Sequence, residues 1–118
     1  MTLNEYQKQA ITTCTESSEN FAYMSLNLVG EVGEFSSKVA KAIRKEQIDI
    51  ADNDLYFSKD ARTVEIIDLK YKAGDILWQL SGLCKVMGWS LEDVAQMNLD
   101  KLASRKERGV NADNGDNR

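Results

Sequence analysis

Apolar residues return at three- and four-residue steps along four stretches of the chain, and polar clusters separate those stretches. That period is helical. The first stretch opens with Thr2 and Glu5, spaced as a capping box. It runs through Leu3, Tyr6, Ala10, Ile11 and Cys14 until the polar run 15–20 ends it. The second covers residues 22–45, with Met24, Leu28, Val32, Phe35, Val39 and Ile43 in one stripe. Lys41, Arg44 and Lys45 close it, where cations suit the negative end of the helix dipole. Over residues 46–60 the period breaks: Asp49, Asp52, Asn53 and Asp54 alternate with isolated apolar residues. The expectation there is a connecting loop with at most a short helical turn, followed by Ser58 or Asp60 as a cap. The third stretch, 61–87, stops at Gly88. The fourth starts at Ser90, with Asp93 completing a second capping box and Leu91, Val94, Ala95 and Leu102 on its inner face. The pattern predicts an all-α fold, a four-helix bundle in one domain over residues 1–108, followed by a polar tail over 109–118.

The second stretch carries two edges beside its apolar stripe. Asn27, Glu31, Glu34, Lys38 and Lys41 line one of them. Gly30, Gly33, Ser37 and Ala40 line the other. A mid-helix glycine costs about 1 kcal/mol relative to alanine, so a stripe of small residues predicts a second backbone packed closely there. Glu31 and Glu34 stand on neighbouring turns of one side. They are either a solvated face or the acidic wall of a cleft.

The third stretch is apolar nearly all round from Ile76 to Cys84, which predicts a buried helix. Its polar residues fall on one narrow stripe: Glu65, Asp68, Lys72, Asp75 and Gln79. Asp75 precedes the most apolar segment and needs a cation, either a lysine or a metal ion. Trp78 and Tyr71 lie on another face, as core or subunit contacts. On the fourth stretch Asn98, Lys101 and Arg105 lie on or beside the inner face. Either they meet something anionic, or the two cations snorkel outward over apolar neighbours.

Composition narrows the chemistry. The 118 residues are 42% hydrophobic and 29% charged, with a net charge of −4. That balance speaks for a soluble domain and against a nucleic-acid surface, which wants a basic stripe. No apolar run is long enough to span a membrane. Cys14 and Cys84 sit inside helical patterns and read as buried thiols of a cytoplasmic protein. Proline is absent, which suits long helices. Histidine is absent too. Ser-His-Asp and Cys-His nucleophiles are thereby excluded. The expectation for any metal is oxygen ligands, which favours Mg²⁺, Mn²⁺ or Ca²⁺.

Three carboxylates around one cleft repel each other without a divalent cation. With Lys38, Lys101 and Arg105 bordering the same region, the residue types fit phosphoryl chemistry, in which Mg²⁺ shares its shell with substrate phosphates. The runs Gly-Glu-Val-Gly-Glu-Phe and Gly-Asp-Ile-Leu-Trp-Gln-Leu, then Asn98-x-x-Lys101-Leu102-x-x-Arg105, Gly109 and a closing Gly115-Asp116-Asn117-Arg118 resemble the MazG-like nucleotide pyrophosphohydrolases. These are all-α enzymes, and the resemblance extends from about Leu26 onward. It implies Mg²⁺-dependent hydrolysis of a nucleoside triphosphate to the monophosphate and pyrophosphate. It carries metal-binding and catalytic roles onto Glu31, Glu34 and Asp75. Lys38, Asn98, Lys101 and Arg105 are then the candidate substrate contacts, and Phe21 and Tyr23 candidates to stack a base. It also implies a homo-oligomer, dimer or tetramer. The family pattern E-x-x-E followed by E-x-x-D is broken once, because Lys72 stands where the third acid belongs. Asp68, one turn earlier, could supply a replacement oxygen. A bundle that had lost a ligand in this way would instead serve as a nucleotide-binding or protein-interaction module.

Overall fold

A computed structural model describes residues 1–58 and 63–109. The expected tail from residue 110, Asp60 and the side chain of Glu65 lie outside the described residues. Four helices are present: α1 (Leu3–Ile11), α2 (Phe21–Arg44), α3 (Thr63–Val86) and α4 (Leu91–Arg108). A single 3₁₀ turn, Glu16–Ser18, joins α1 to α2. The fold is mostly helical, as the periodicity predicts.

The caps are local and follow from side-chain chemistry. Thr2 Oγ1 accepts from the amide of Glu5 at 3.1 Å, Asn20 Oδ1 from Tyr23 at 2.8 Å, and Ser90 Oγ from Asp93 at 3.2 Å. Each satisfies an amide that the helix leaves unpaired. Gly88, at φ 76°, ends α3, and the Trp89 amide then donates back to the Cys84 carbonyl at 2.8 Å. That left-handed step is open to glycine without a Cβ clash.

The segment expected as a loop is a β-hairpin. Strands β1 (Ile48–Ala51) and β2 (Asp54–Phe57) pair antiparallel, with Ile48 opposite Phe57 and Ile50 opposite Leu55. Asp52 and Asn53 form the two-residue turn, both with positive φ, at 52° and 66°. Two-residue hairpin turns need left-handed residues, and Asp and Asn tolerate that region better than other non-glycine residues.

α2 and α3 form the central antiparallel pair, with α1 against α3 and α4 against α1 and the end of α3. The buried set among the described residues is small. Its hydrophobic members are Ala10, Met24, Ile48, Cys84 and Leu91, joined by Gln7, Ser18, Gln79 and Ser81. Gln7 is the bolt between helices: its Nε2 donates to the carbonyls of Ser81 and Trp89, at 3.3 and 3.1 Å, and its Oε1 accepts from the Leu91 amide at 3.0 Å. Trp78 Nε1 donates to Thr13 Oγ1 at 2.8 Å and to the Ala10 carbonyl at 3.2 Å, so Trp78 joins α3 to the end of α1 within the chain.

Three expectations change. The segment of α3 from Ile76 to Cys84 is largely covered, with Gln79, Ser81 and Cys84 buried, but Leu77 within it is 36% exposed. Leu102, expected on the inner face of α4, is 42% exposed. The glycines of the small-residue stripe on α2 have no close approach from another described element. A Cβ on Gly33 would meet nothing within 4 Å, and one on Gly30 only its own helix's Asn27. The close approach falls at Gly82 on α3, where a Cβ would lie 2.5 Å from Met24 Sδ. The period of a helix says which residues share a face. It does not say how much of that face one chain can cover.

Replacing Gln7 tests the bolt. Gln7→Leu keeps the volume but strands the buried Leu91 amide and removes both bonds to carbonyls, at about 1–3 kcal/mol for the unsatisfied buried group. Urea denaturation is expected to show a loss of at least about 2 kcal/mol, with α-helical far-UV dichroism retained at zero denaturant.

Candidate functional site

The polar edge of α2 and the polar stripe of α3 face each other. Because the helices run antiparallel, each step down α2 is answered by the same step up α3. Asn27 Nδ2 donates to Gln79 Oε1 at 2.9 Å. Lys72 Nζ donates to Glu34 Oε2 at 3.0 Å. Lys38 pairs with Asp68. Glu31 stands beside Glu34, Asp75 and Lys72, whose charges it feels. These contacts form one polar seam between two helices that are otherwise joined by apolar packing.

The interior end of the seam is rigid. Gln79 is fully buried, and its Nε2 donates to the Met24 carbonyl at 3.3 Å and to Met24 Sδ at 3.2 Å. That fixes which end of the amide is the acceptor, and so orients Asn27. The same Asn27 amide also lies 3.4 Å from Glu31 Oε1, as a longer contact. Asn27 and Gln79 thus hold Glu31 in place. Both residues were visible in the sequence as members of the two polar stripes. What the stripes lack is any sign that the two would meet.

The middle of the seam is charged. Lys72 Nζ is 3.0 Å from Glu34 and 3.5 Å from Asp75 Oδ2, with its side chain 24% exposed. Of the two cations open to Asp75 on the sequence, a lysine is therefore in place. The hydrogen bond from Lys72 holds Glu34 below the usual carboxylate range, and the same bond holds Lys72 above the usual ammonium range. Glu31 behaves oppositely. Burial, then the negative charges of Glu34 and Asp75, push its carboxyl above the usual range, against the opposing pull of Lys72 and Asn27. Its Oε2 is buried without a hydrogen-bond partner. A buried carboxylate oxygen left in this state is rare and calls for an explanation. Tyr6, on α1, borders the same place: burial, then Asp75, raises its hydroxyl above the usual phenol range.

The fit to a divalent cation is limited but real. Among the described residues no three acidic or cysteine side chains are gathered closely enough to hold an ion alone. The donor set of the seam is all oxygen, and Glu31 Oε2 is buried without a hydrogen-bond partner. Mg²⁺ takes only one or two carboxylates when waters and phosphates fill the rest of its shell.

Beyond Lys38 the seam ends at a cavity of about 140 Å³ beneath the hairpin, lined by Lys38, Lys41, Lys45, Phe57 and Asp68 among others. Lys38 is near enough to Glu34 to help lower its carboxyl. Asn98, Lys101 and Arg105 are on α4, which packs on α1 and α3. Among the described residues no hydrogen bond or ion pair joins Asn98 or Lys101 to the carboxylates of the seam. Phe21 and Tyr23 are 58% and 41% exposed at the start of α2, and the Tyr23 hydroxyl lies 3.4 Å from the Asn27 amide.

No helix among the described residues is long and apolar enough to cross a membrane. A model of the MazG nucleotide pyrophosphohydrolase domain matches residues 19–110, a span that holds α2, the hairpin, α3 and α4, and so both sides of the seam. The chain is also 38% identical over 103 residues to the Gene 37 protein of Mycobacterium phage L5, covering 87% of this chain and 81% of that protein. No solved structure matches. With the family pattern spanning every element that builds the seam, this chain belongs to the MazG nucleotide pyrophosphohydrolase domain family.

Proposed function

We propose that the seam is the active site of a nucleoside triphosphate pyrophosphohydrolase, which releases the monophosphate and pyrophosphate. The observation that carries this reading is the unpartnered, buried Oε2 of Glu31 beside Glu34 and Asp75. Glu31, Glu34 and Asp75 are the residues that would hold Mg²⁺, with Mn²⁺ as a substitute. The ion, when bound, neutralises phosphate charge and acidifies a water. Glu31 has the highest proton affinity of the pair on α2, which suits it to take a proton from the water that attacks the α-phosphorus. The leaving group is pyrophosphate. Lys38, at the mouth of the lysine-lined cavity, is placed to meet the phosphate chain once Asp68 releases it. Asn98, Lys101 and Arg105 on α4 remain candidate contacts to phosphate and sugar, as in the family.

Lys72 supports a second reading. Its ion pairs with Glu34 and Asp75 neutralise the site internally, as expected of a domain that binds nucleotides or protein partners without turning them over.

We further propose that the protein is a homo-oligomer, a dimer or tetramer. Leu26 and Val29 on α2 are 74% and 72% exposed, beside Gly33, around whose Cβ position no described residue comes within 4 Å. Tyr71 on α3 and Met97 on α4 add 71% and 70%. Side chains of this size so far in water are where a second copy gains most from burial, at roughly 25 cal/mol per Å².

Two measurements separate these readings. Glu31→Gln removes a carboxylate whose ionisation burial opposes. Folding stability without metal is therefore expected to stay level or rise by less than about 1 kcal/mol. The thermal stabilisation of the wild type by Mg²⁺ with a nonhydrolysable triphosphate is expected to vanish in this variant, along with pyrophosphate release. A wild type that is stabilised by nucleotide but releases no pyrophosphate from any canonical or damaged triphosphate would establish the binding module instead. For the oligomer, sedimentation equilibrium at micromolar concentration is expected to give two or four times the chain mass. Gly33→Leu, which fills the space a partner backbone would occupy, is expected to lower it. A single-chain mass at every concentration would overturn this claim.

A further inference from the structure

Beyond Lys38 the cavity beneath the hairpin has a charge pattern of its own. Three lysines of α2 line it, Lys38, Lys41 and Lys45, at steps of three and four residues that put them on one side of the helix. Among the described residues of the wall, Asp68 is the one carboxylate, and it pairs with Lys38. Lys41 and Lys45 make no ion pair among the described residues. Like charges at these steps repel along a helix. Cations do suit the end of a helix, but the half charge there offsets only part of the excess of ammonium over carboxylate. Nor do the last carbonyls of α2 need the lysines. Those of Lys41, Ala42 and Ile43 accept the amides of Lys45, Gln47 and Glu46, at 3.0, 2.9 and 2.9 Å. The rest of the wall is mainly apolar, with Ile48, Phe57 and Leu69. Ile48 is buried and pairs with Phe57 across the hairpin, and the Ser58 amide donates to the Gln47 carbonyl at 2.8 Å. The hairpin is thus tied to the end of α2 as a roof, and its apolar surface strengthens the pull of the ammoniums on an anion.

We propose that this cavity is a separate binding site for a small multivalent oxyanion of the phosphate class, orthophosphate or pyrophosphate, held by Lys41 and Lys45 with Lys38 at its mouth. Size decides against a whole nucleotide. Pockets for drug-sized ligands measure about 300–1,000 Å³, and this cavity is about 140 Å³. Distance decides against the tail of a triphosphate seated on the seam. At 1.5 Å per residue, Lys41 and Lys45 stand about 15 and 21 Å along α2 from Glu31. A chain of three phosphorus atoms is shorter than that, and lysine stems close only part of the gap. Lysines act on an oxyanion as point charges, so charge rather than a planar shape selects the ligand.

This inference does not depend on the reading of the seam. A chain that binds pyrophosphate here and hydrolyses no triphosphate would still bear it out. Isothermal titration calorimetry with pyrophosphate, at low salt and without divalent cations, is the test. One pyrophosphate is expected to bind per chain. Lys41→Gln/Lys45→Gln is expected to weaken binding at least about tenfold, through the loss of two charge-assisted contacts, with far-UV dichroism unchanged. Lys70→Gln/Lys106→Gln removes the same charge elsewhere and is expected to bind as the wild type does, as is Glu31→Gln. Equal weakening by the two double variants would reduce the effect to net charge and overturn the site. Unchanged binding in Lys41→Gln/Lys45→Gln, or no binding at millimolar pyrophosphate, would also overturn it. If that double variant fails to fold, Lys45→Gln alone is read in the same way. A nonhydrolysable triphosphate added first separates the two sources of phosphate. Pyrophosphate is expected to bind alongside it, whereas displacement would make the cavity the end of the nucleotide site and overturn a separate one.

Discussion

The contact on which the rest depends is the polar seam between α2 and α3. Two 24-residue helices packed antiparallel could slide past each other in steps of one turn with little change in apolar area. The seam forbids it. Gln79 is fully buried, and its amide is satisfied only where Asn27 and the Met24 carbonyl face it. A slip of one turn would leave that amide unpaired, at about 1–3 kcal/mol. It would also part Lys72 from Glu34 and Lys38 from Asp68. The ion pairs are partly exposed and add little stability on their own. Their effect is on register.

Register matters because the rest of the fold contributes so little constraint. Among the described residues the buried hydrophobic set is five residues, and α1 is held by hydrogen bonds as much as by packing. Gln7 and Trp78 each tie backbone groups of one helix to another, so a short nine-residue helix is kept against α3. That placement brings Tyr6 to the edge of the acidic cluster, near Asp75. The elements that stabilise the bundle and those that shape the site are thus the same, and several large apolar side chains are left outside both.

Lys72 gives the site its character. In a cleft of carboxylates alone, mutual repulsion would spread the side chains until a cation entered. Here the ammonium holds Glu34 and Asp75 together and leaves Glu31 outside that ion pair, against Asn27. The pair on α2 is thereby split: Glu34 is pulled towards the ionised form, and Glu31 is pushed towards the protonated one. Two carboxylates three residues apart acquire different chemistry from what lies opposite each of them.

Much of this was legible in the chain. The helical period, the caps at Thr2 and Ser90, the stop at Gly88 and the two polar stripes all arise from interactions within one or two turns, and local interactions leave a local pattern. The acids and the lysine of the site were named from those stripes. The hairpin was not, because its turn is Asp52-Asn53 rather than a pair with glycine, and because Ile48, Ile50, Leu55 and Phe57 alternate over strands of only four residues. Nor could the stripes say that Asn27 meets Gln79, that Lys72 reaches both Glu34 and Asp75, or that Gly82 rather than Gly33 takes the close contact. Those pairings join residues far apart in the chain. They are set by how two helices cross and slide, and the energy that selects one crossing is shared among many side chains. The sequence by itself determined the helices and the chemical types along their faces, and only the tertiary structure decided which faces meet and which of three acids the lysine leaves free.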